Sequence, residues 1–564
     1  MTGRSQKREK MIHYLGILIS ALTVRVFTAH ARLVVPEDSV HYIDLARDVT
    51  ENGLGPLLSH SSHPLYPLLL AGTQWVTGDF LLAGRILGIV LGVLVVLSIT
   101  ASTRLLFGST ASFFVGMFAA LSPYLARQAG EILPEQLSVA SASLALYFVL
   151  RAERKHSLIF AGLAGIFSGL FFLTRPEGLI FPFGLALGLS IPFIRTRSCQ
   201  QNLLPPLSLL LGFTLVASPY WIALSLDNGY PTLSRRKIER IFSTYRFQDQ
   251  MSPPVRAFPE PRPAPPPWYQ REQHLLSRLR HLLKPSTPGS ARSDPSVWLL
   301  STPTGPLIHY PGKQVKQTIH STLLQSRHQR KKTFELPKTI FEACHPILFL
   351  LGLWGLWGAL RGNWPAGRSV LITSIGLQIL LLSMVNFQQG YLSRRHALVF
   401  AVIFLPWSGI AFQKGVRRIF SSLNFPRPRK ALWISFALVL AILSGKTLKV
   451  KGTSNLSERR VGEWIATHSP NQKLLTNVTR VALYAKCPYE RLPTQGGYAQ
   501  LLRICLEKEI DLIAVAGEGY FLIERLVSFQ WLIPIDTESS PPGERGKPVH
   551  LYRVRFPTQT DRGS

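Results

Sequence analysis

Apolar runs and basic knots alternate along most of this chain. The runs are roughly 15–22 residues long, and a helix needs about 20 largely apolar residues to cross a bilayer. Expected spans cover residues 11–31, 82–103 and 109–125, then a fourth ending at 150, a fifth at 158–173 and a sixth ending before Arg195. Five more are expected at 203–226, 340–360, 369–384, 397–412 and 431–443, which makes eleven. Helices satisfy their own backbone in lipid, so the pattern reads as a polytopic helical membrane protein rather than a soluble one with buried helices. Two stretches break the pattern. Arg25 and His30 interrupt the first run, and Pro64 and Pro67 make 63–76 a re-entrant or interfacial piece rather than a full crossing.

The basic knots set the expected orientation. Arg4, Lys7, Arg8 and Lys10 precede the first run and place the N-terminus in the cytoplasm by the positive-inside rule. Arg151, Arg154 and Lys155, then Arg195 and Arg197, then the series from Lys414 to Lys430 mark the same side. The first run lacks a small-residue cleavage site and is expected to remain as an anchor. Four parts follow: a transmembrane catalytic module at 1–226 with an acidic outer loop, a proline-rich basic insert at 227–339, further transmembrane helices at 340–445, and a soluble α/β domain at 446–564 outside, periplasmic or extracellular. The insert carries Pro253-Pro254 through Pro265-Pro266-Pro267 and is not expected to pack a core. Long loops escape the charge rule, so its basic character does not pull it inside. The last part is expected to hold helices at 456–466 and 498–508 and strands at 473–475, 481–484, 511–516 and 550–556, a small α/β unit.

Composition adds less than distribution. The 564 residues are 46% apolar, which a soluble protein also reaches. The formal charge of +31 suits anionic lipid or phosphate-bearing substrates. Nucleic acid is not an expected partner, because no basic patch interleaves with aromatics in a recognisable module. Cys199, Cys344, Cys487 and Cys505 are too few and too scattered for a zinc cluster. Cys487 and Cys505 share the outer domain, where a disulfide is permitted; two buried free thiols are the equal alternative.

Candidate chemistry concentrates after the first span. The stretch Val34-Val35-Pro36-Glu37-Asp38-Ser39-Val40-His41-Tyr42 puts two acids, a histidine and a tyrosine beside a membrane. Residues 38–50 are expected as a helix on the membrane, capped by Asp38 or Ser39, with Tyr42, Leu45 and Ala46 on one face. The expected topology brings five polar elements to one side: Glu37 and Asp38; His63; Arg127 with Glu131 and Glu135; Arg175 with Glu177; and Tyr391 with Arg394, Arg395 and His396. Any single arginine among them is explained by anchoring a helix end at the headgroups. Charges at membrane depth are costly and commonly functional, and together they point to a shared cavity.

These motifs, in this order and topology, resemble the GT-C-fold glycosyltransferases, in the bacterial branch related to protein O-mannosyltransferases and the lipid A aminoarabinose transferase. The matching pieces are Pro36 to Tyr42, His63-Pro64-Leu65-Tyr66, Glu131-Ile132-Leu133-Pro134-Glu135, Arg175-Pro176-Glu177-Gly178-Leu179 and Arg395-His396-Ala397. The likeness covers most of residues 11 to 445. It implies a GT-C-like helical fold that moves a sugar from a polyprenyl-phosphate-linked donor to a protein, lipid or polysaccharide acceptor. The transfer would occur at the outer face of the cytoplasmic (inner) membrane, among membrane lipids; direct attack would invert the anomeric centre, and a double displacement through a dedicated nucleophile is the other route. It implies catalysis by Asp38 with Glu37 beside it, and donor-phosphate binding by Arg175, Arg395, Arg127 and His63. Tyr42, Glu131, Glu135, Glu177, Tyr391, Arg394 and His396 would position substrate.

The chain departs from the family pattern in three places. Its Glu-Asp order inverts the Asp-Glu pair of protein mannosyltransferases, His63 stands where the aminoarabinose-type enzymes carry lysine, and His396 replaces the usual tyrosine. No cofactor or dedicated metal site is expected, although Glu37, Asp38, Glu131 and Glu135 offer the oxygen ligands a hard divalent cation would take. The alternative classes are a lipid-linked sugar flippase, which should show inverted repeats that the sequence lacks, and a non-enzymatic envelope scaffold.

Overall fold

The computed structural model describes residues 3–59, 62–196, 203–233, 335–361, 367–389, 392–423, 428–450, 453–493, 498–516, 531–535 and 548–555. Two compact units divide the chain: Met1–Arg240 with Lys332–Ser564, and Ile241–Lys331. The second unit lies outside the described residues, and with it the proline-rich middle of the insert.

Among the described residues, eleven α-helices precede the insert. They are α1 (Gly3–His30), α2 (Glu37–Asn52), α3 (Gly55–Ser59), α4 (Leu65–Thr77), α5 (Phe80–Phe107), α6 (Ser109–Leu121), α7 (Pro123–Arg127), α8 (Glu135–Lys155), α9 (Leu158–Thr174), α10 (Phe181–Thr196) and α11 (Leu204–Asn228). After it come α12 (Glu335–Cys344), α13 (Pro346–Leu360), α14 (Arg368–Gln389), α15 (Leu398–Ala411), α16 (Arg417–Ser422) and α17 (Pro428–Thr447). Each of the eleven expected spans is helical. Among the described residues, six helices are long and apolar enough to cross a membrane, and eight if two bent pairs each count as one span. Those pairs are Ser109–Leu121 with Pro123–Gly130, bent by 50°, and Glu335–Cys344 with Pro346–Ala359, bent by 98°. α9 and α10 are apolar but short. α8 is enriched in polar residues, and its Gln136, Ser138, Ser141 and Ser143 are buried against protein. A helix wrapped by other helices needs no lipid-compatible surface, so its hydropathy understates its depth.

The polar interruption of α1 has a structural use. Arg25 is fully buried and donates to Ala119 O at 3.3 Å and Ala120 O at 3.1 Å, where α6 ends. Pro123 has no N–H to offer the Ala119 carbonyl four residues back. The guanidinium supplies that missing donor at the bend.

α2 begins one residue earlier than expected, and its capping differs. Pro36 holds the N-cap position and no side chain caps the helix. Ser39 is instead buried, its hydroxyl donating to Glu131 O at 2.5 Å.

The C-terminal part is a mixed α/β domain with α18 (Leu456–His468), α19 (Thr479–Ala485) and α20 (Tyr498–Glu507). Its strands are β1 (Leu474–Thr476), β2 (Tyr489–Arg491), β3 (Leu512–Ala516), β4 (Leu532–Ile535) and β5 (Val549–Val554), in the order β2-β1-β3-β5-β4. β1 runs parallel to β2 and β3; β5 is antiparallel to β3 and β4. The stretch 481–484, expected as a strand, is helical within α19 and buried against α18. A short apolar run carries no periodicity that separates strand from helix, and tertiary packing decided it. The pairing expected as strand falls instead to β2, a few residues on.

Alternate residues along the strands point to opposite faces. Leu474, Leu512 and Leu551 pack on one face with Cys487; Leu475, Ile513 and Tyr552 pack on the other with Cys505. The sheet therefore separates the two thiols, and both are free. Burial pushes each thiol up to about 11. Purified without reductant, the protein should release Cys487 and Cys505 as unmodified thiols. Alkylation should reach them only after denaturation, and a Cys487–Cys505 peptide pair in mass spectrometry would contradict the packing.

Candidate active site

α2 presents its first turn to a cavity of about 660 Å³. Glu37 and Asp38 sit there, where the unsatisfied N–H groups of a helix start favour negative charge. One turn on, His41 and Tyr42 line the same wall. His41 Nε2 is 2.9 Å from Ser62 Oγ, and the Tyr42 ring meets Tyr66 edge-on at 5.6 Å. His63 follows Ser62 into the lining, wedged between Phe172 at 5.2 Å and Tyr220 at 5.6 Å.

The second wall is the junction after α9. Thr174 ends the helix, and Arg175 turns extended into a short 3₁₀ turn, Pro176–Leu179. Gly178 allows the turn to close. A Cβ there would run into the Phe171 and Phe172 backbone, so no other residue fits without moving α9. The turn aims Arg175 at two carboxylates. Its Nη1 donates to Glu135 Oε1 at 3.0 Å, its Nη2 to Glu177 Oε1 at 3.1 Å and its Nε to Glu177 Oε2 at 3.3 Å. All three side chains are largely buried, at 16%, 7% and 14% exposure for Arg175, Glu135 and Glu177. Burial alone would raise the Glu177 carboxyl, but Arg175 overcomes it and holds Glu177 well below the usual carboxylate range. Glu135 Oε2 is buried with no hydrogen-bond partner. An unsatisfied buried carboxylate oxygen at a cavity wall calls for a partner from outside the chain.

The third wall is the turn before α15. Ser393, Arg395 and His396 line the cavity. Arg395 Nη1 donates to Asp38 Oδ2 at 2.7 Å, across 357 residues of sequence. This pair is much more open than the Arg175 cluster, with 36% exposure for Arg395 and 63% for Asp38.

The C-terminal domain forms the remaining edge through Arg491 of β2. It is docked by three polar contacts: Tyr489 Oη donates to Asp44 Oδ2 at 2.6 Å, Val35 N donates to Tyr484 Oη at 3.1 Å, and Arg459 Nη1 donates to Leu33 O at 2.9 Å. Arg491 lies two residues on from Tyr489, along the same strand. Burial first, and then Asp44, push the Tyr489 phenol above its usual range.

Of the residues singled out from sequence, Glu37, Asp38, Tyr42, His63, Glu135, Arg175, Glu177, Arg395 and His396 meet in this cavity. Three others do not line it. Arg127 donates to Lys446 O and opens on a separate small cleft with Arg32 and Lys449. Glu131 lies behind the wall, 3.5 Å from Arg32 and accepting from Gln128 at 2.9 Å; burial pushes its carboxyl up. Arg394 turns away to Glu342 at 2.6 Å and Tyr124 Oη at 2.6 Å. Adjacent residues in a turn point differently, so Arg394 and Arg395 part company. Tyr391 lies outside the described residues. His41, Ser62 and Arg491 were not singled out as site residues. His41 was within reach, being one helical turn past Glu37 and Asp38; Arg491 carried no signal in the sequence. Among the described residues no group of three or more His, Cys, Asp or Glu side chains could hold a metal ion.

The family described as dolichyl-phosphate-mannose-protein mannosyltransferase matches residues 59–222. No curated protein matches the chain by sequence. Among solved structures, ArnT from Cupriavidus metallidurans bound to undecaprenyl phosphate is similar with a TM-score of 0.54 at 11% identity, over 96% of this chain and 97% of that one. Its apo state gives 0.54 at 12% over the same shares. An Archaeoglobus fulgidus oligosaccharyltransferase in complex with Zn and sulfate gives 0.52 at 13%, over 89% of this chain and 68% of that one. At these identities the likeness is one of fold, and it is the GT-C membrane glycosyltransferase fold that the sequence motifs resemble.

The buried trio makes a pH prediction. Glu177 is depressed in the folded state, so its contribution to stability is present above the unfolded carboxylate range, about pH 4, and is lost as pH falls below it. Glu177→Gln should lower the thermal midpoint in detergent at pH 7. The loss should be less than the roughly 3–5 kcal/mol of a fully broken buried pair, because Glu135 still holds the guanidinium. The gap to wild type should narrow steadily as pH drops from about 5 towards 3. A gap that stays constant with pH would remove the charge-based account.

Proposed function

We propose that this cavity transfers a sugar from a polyprenyl-phosphate-linked donor to an acceptor on the outer face of the cytoplasmic membrane. The observation that carries the reading is the contrast between its two arginine sites. Arg175 already spends its fork on two buried carboxylates, and breaking such a pair costs about 3–5 kcal/mol. Among the described residues Arg395 pairs directly with the exposed Asp38, Glu135 and Glu131 acting on it from further off, and an exposed ion pair is worth about 0–1 kcal/mol. A donor phosphate can displace Asp38 from Arg395 cheaply and cannot do the same at Arg175. Arg395 is then the phosphate partner, and Arg175 is the post that orients Glu135 and Glu177.

The exchange also prepares the base. With phosphate oxygens on Arg395, the Asp38 carboxylate is freed at the helix start. It accepts the proton of the acceptor nucleophile as that atom bonds to the anomeric carbon. The bond from that carbon to the phosphate oxygen breaks, and the charge it leaves is met by the Arg395 fork. In-line attack of this kind inverts the anomeric centre. Glu135 Oε2 accepts a hydroxyl of the sugar, and Tyr42, His63 and His396 shape the rest of the wall. Arg127, Glu131 and Arg394 support the walls from behind without touching substrate. The fold shared with ArnT from Cupriavidus metallidurans bound to undecaprenyl phosphate supports the donor class. A protein, lipid or polysaccharide acceptor all fit the chemistry.

Asp38→Asn keeps shape and removes the basic carboxylate. Turnover should fall by about 10²–10⁴ while donor affinity holds or tightens by no more than a few-fold, as Arg395 no longer has the Asp38 charge to give up, measured on folded protein with a lipid-linked sugar in liposomes. Near wild-type turnover would show that Asp38 is not the base, and abolition by Glu37→Gln alone would move the role one residue earlier. Arg395→Lys keeps the charge and loses the fork, so donor binding should weaken. A flippase would move the donor across the bilayer without consuming it.

Orientation is tested separately. With eleven crossings and the N-terminus inside, a reporter fused after Ser564 should be active only outside the cytoplasm. Activity inside would put the C-terminal domain, and Arg491 with it, on the wrong side for this reaction.

A further inference from the structure

A second cavity, of about 560 Å³, lies at the far end of α8. Glu135, on the acidic cavity, and Arg151, on this one, stand sixteen residues apart on one helix. That is roughly 24 Å at 1.5 Å per residue, close to the roughly 30 Å of a bilayer core. The two cavities therefore belong to opposite membrane faces.

The lining includes Arg104, Arg151 and Arg154 with Tyr14, Tyr147 and Ser109. Each guanidinium is steadied by a neutral group. Arg104 Nη1 donates to Tyr14 Oη at 3.2 Å, Arg151 Nη1 to Tyr147 Oη at 3.0 Å, and Arg154 Nη1 to Leu105 O at 3.2 Å. Arg151 also lies over the Phe160 ring at 5.1 Å. A guanidinium has five N–H donors, so each keeps several for a ligand. Among the described residues none of the three forms an ion pair with a carboxylate. Glu153, between Arg151 and Arg154 in sequence, accepts instead from Gly367 N at 2.9 Å. The start of α6 adds a first turn with no side-chain cap.

Topology explains arginines at this end of the helices but not their convergence on one concave space. Arg361 illustrates the ordinary case, stacked on Trp357 at 4.4 Å and outside this cavity. Three like charges brought together without a counter-charge repel, and an anion removes that cost. Forked donors match phosphate oxygens in pairs, and basic pockets between helices at a membrane face suit lipid phosphate.

We infer that this cavity is a phosphate-binding site on the face opposite the acidic cavity, filled by the headgroup of an anionic phospholipid. A soluble phosphate ester shares the chemistry, and the test separates the two. The full chain is placed in phosphatidylcholine nanodiscs, with and without phosphatidylglycerol, and in phosphatidylcholine nanodiscs with added inorganic phosphate. Readouts are the thermal midpoint and the lipid retained in native mass spectrometry. Phosphatidylglycerol should be retained and should raise the midpoint. Each of Arg104→Gln, Arg151→Gln and Arg154→Gln should weaken its apparent affinity roughly tenfold, whereas Arg361→Gln should not. The same arginine-dependent shift from inorganic phosphate alone would overturn the lipid source. No arginine-dependent shift in either arm would overturn the site. Should the glutamine variants fail to fold, Arg151→Lys and a salt titration replace them. Retention indifferent to both the lost fork and ionic strength overturns the site equally.

Discussion

The hold of Arg175 on Glu135 and Glu177 is the constraint around which the acidic cavity is built. It ties the first residue of α8 to the last turn of α9 and the turn that follows. A charged group at this depth is tolerable only when its partners are complete. That requirement fixes several other residues at once. Gly178 must be glycine for the turn to close beneath it. Glu135 must stay at the helix start, where one of its oxygens serves Arg175 and the other is buried without a hydrogen-bond partner. The trio gives the wall its rigidity, whereas the opposite wall, where Asp38 meets Arg395, is held by a contact that solvent already competes for.

This division of labour is what makes the arrangement suited to chemistry on a charged lipid. A site with only rigid ion pairs would have nothing to exchange with an incoming phosphate. A site with only loose ones would not hold its acids at a defined spacing. On the proposed function, the strong cluster positions and the weak pair exchanges. The aromatic packing of His63 against Phe172 and Tyr220 extends the rigid side to the floor of the cavity.

Much of this was legible from residue order, and the failures have physical causes. Long apolar runs carry their own helical instruction, so each expected span is helical. Their number as crossings was less legible, because α8 hides its polar face against protein and α9 and α10 are short. Motifs bound to backbone geometry, such as Pro36 to Tyr42 and Arg175 to Leu179, led to residues that do line the cavity. Motifs that rested on charge alone were unreliable. Arg394 and Arg395 are neighbours with opposite destinations, and Arg127 donates to a carbonyl at Lys446 outside the cavity lining. Arg491 was invisible because its place depends on β2 reaching the edge of the sheet and on Tyr489 meeting Asp44. The mistaken strand at 481–484 has the same origin, since its conformation is decided by α18 packing on it and not by its own pattern.

The docking of Tyr484 and Tyr489 on the segment around α2 has a consequence for biosynthesis. Asp38 is among the first residues of the cavity to leave the ribosome and Arg491 is the last. At roughly 5–20 residues per second, the two emerge roughly 20–90 s apart. Throughout that interval the helix bearing the acids is inserted without the domain that borders it, and Asp44 has no tyrosine to accept from. The helical part can pack as it is made, but the cavity acquires its final edge only once residue 491 has been made. A nascent chain shorter than that has no complete cavity while it is still threaded through the insertion machinery.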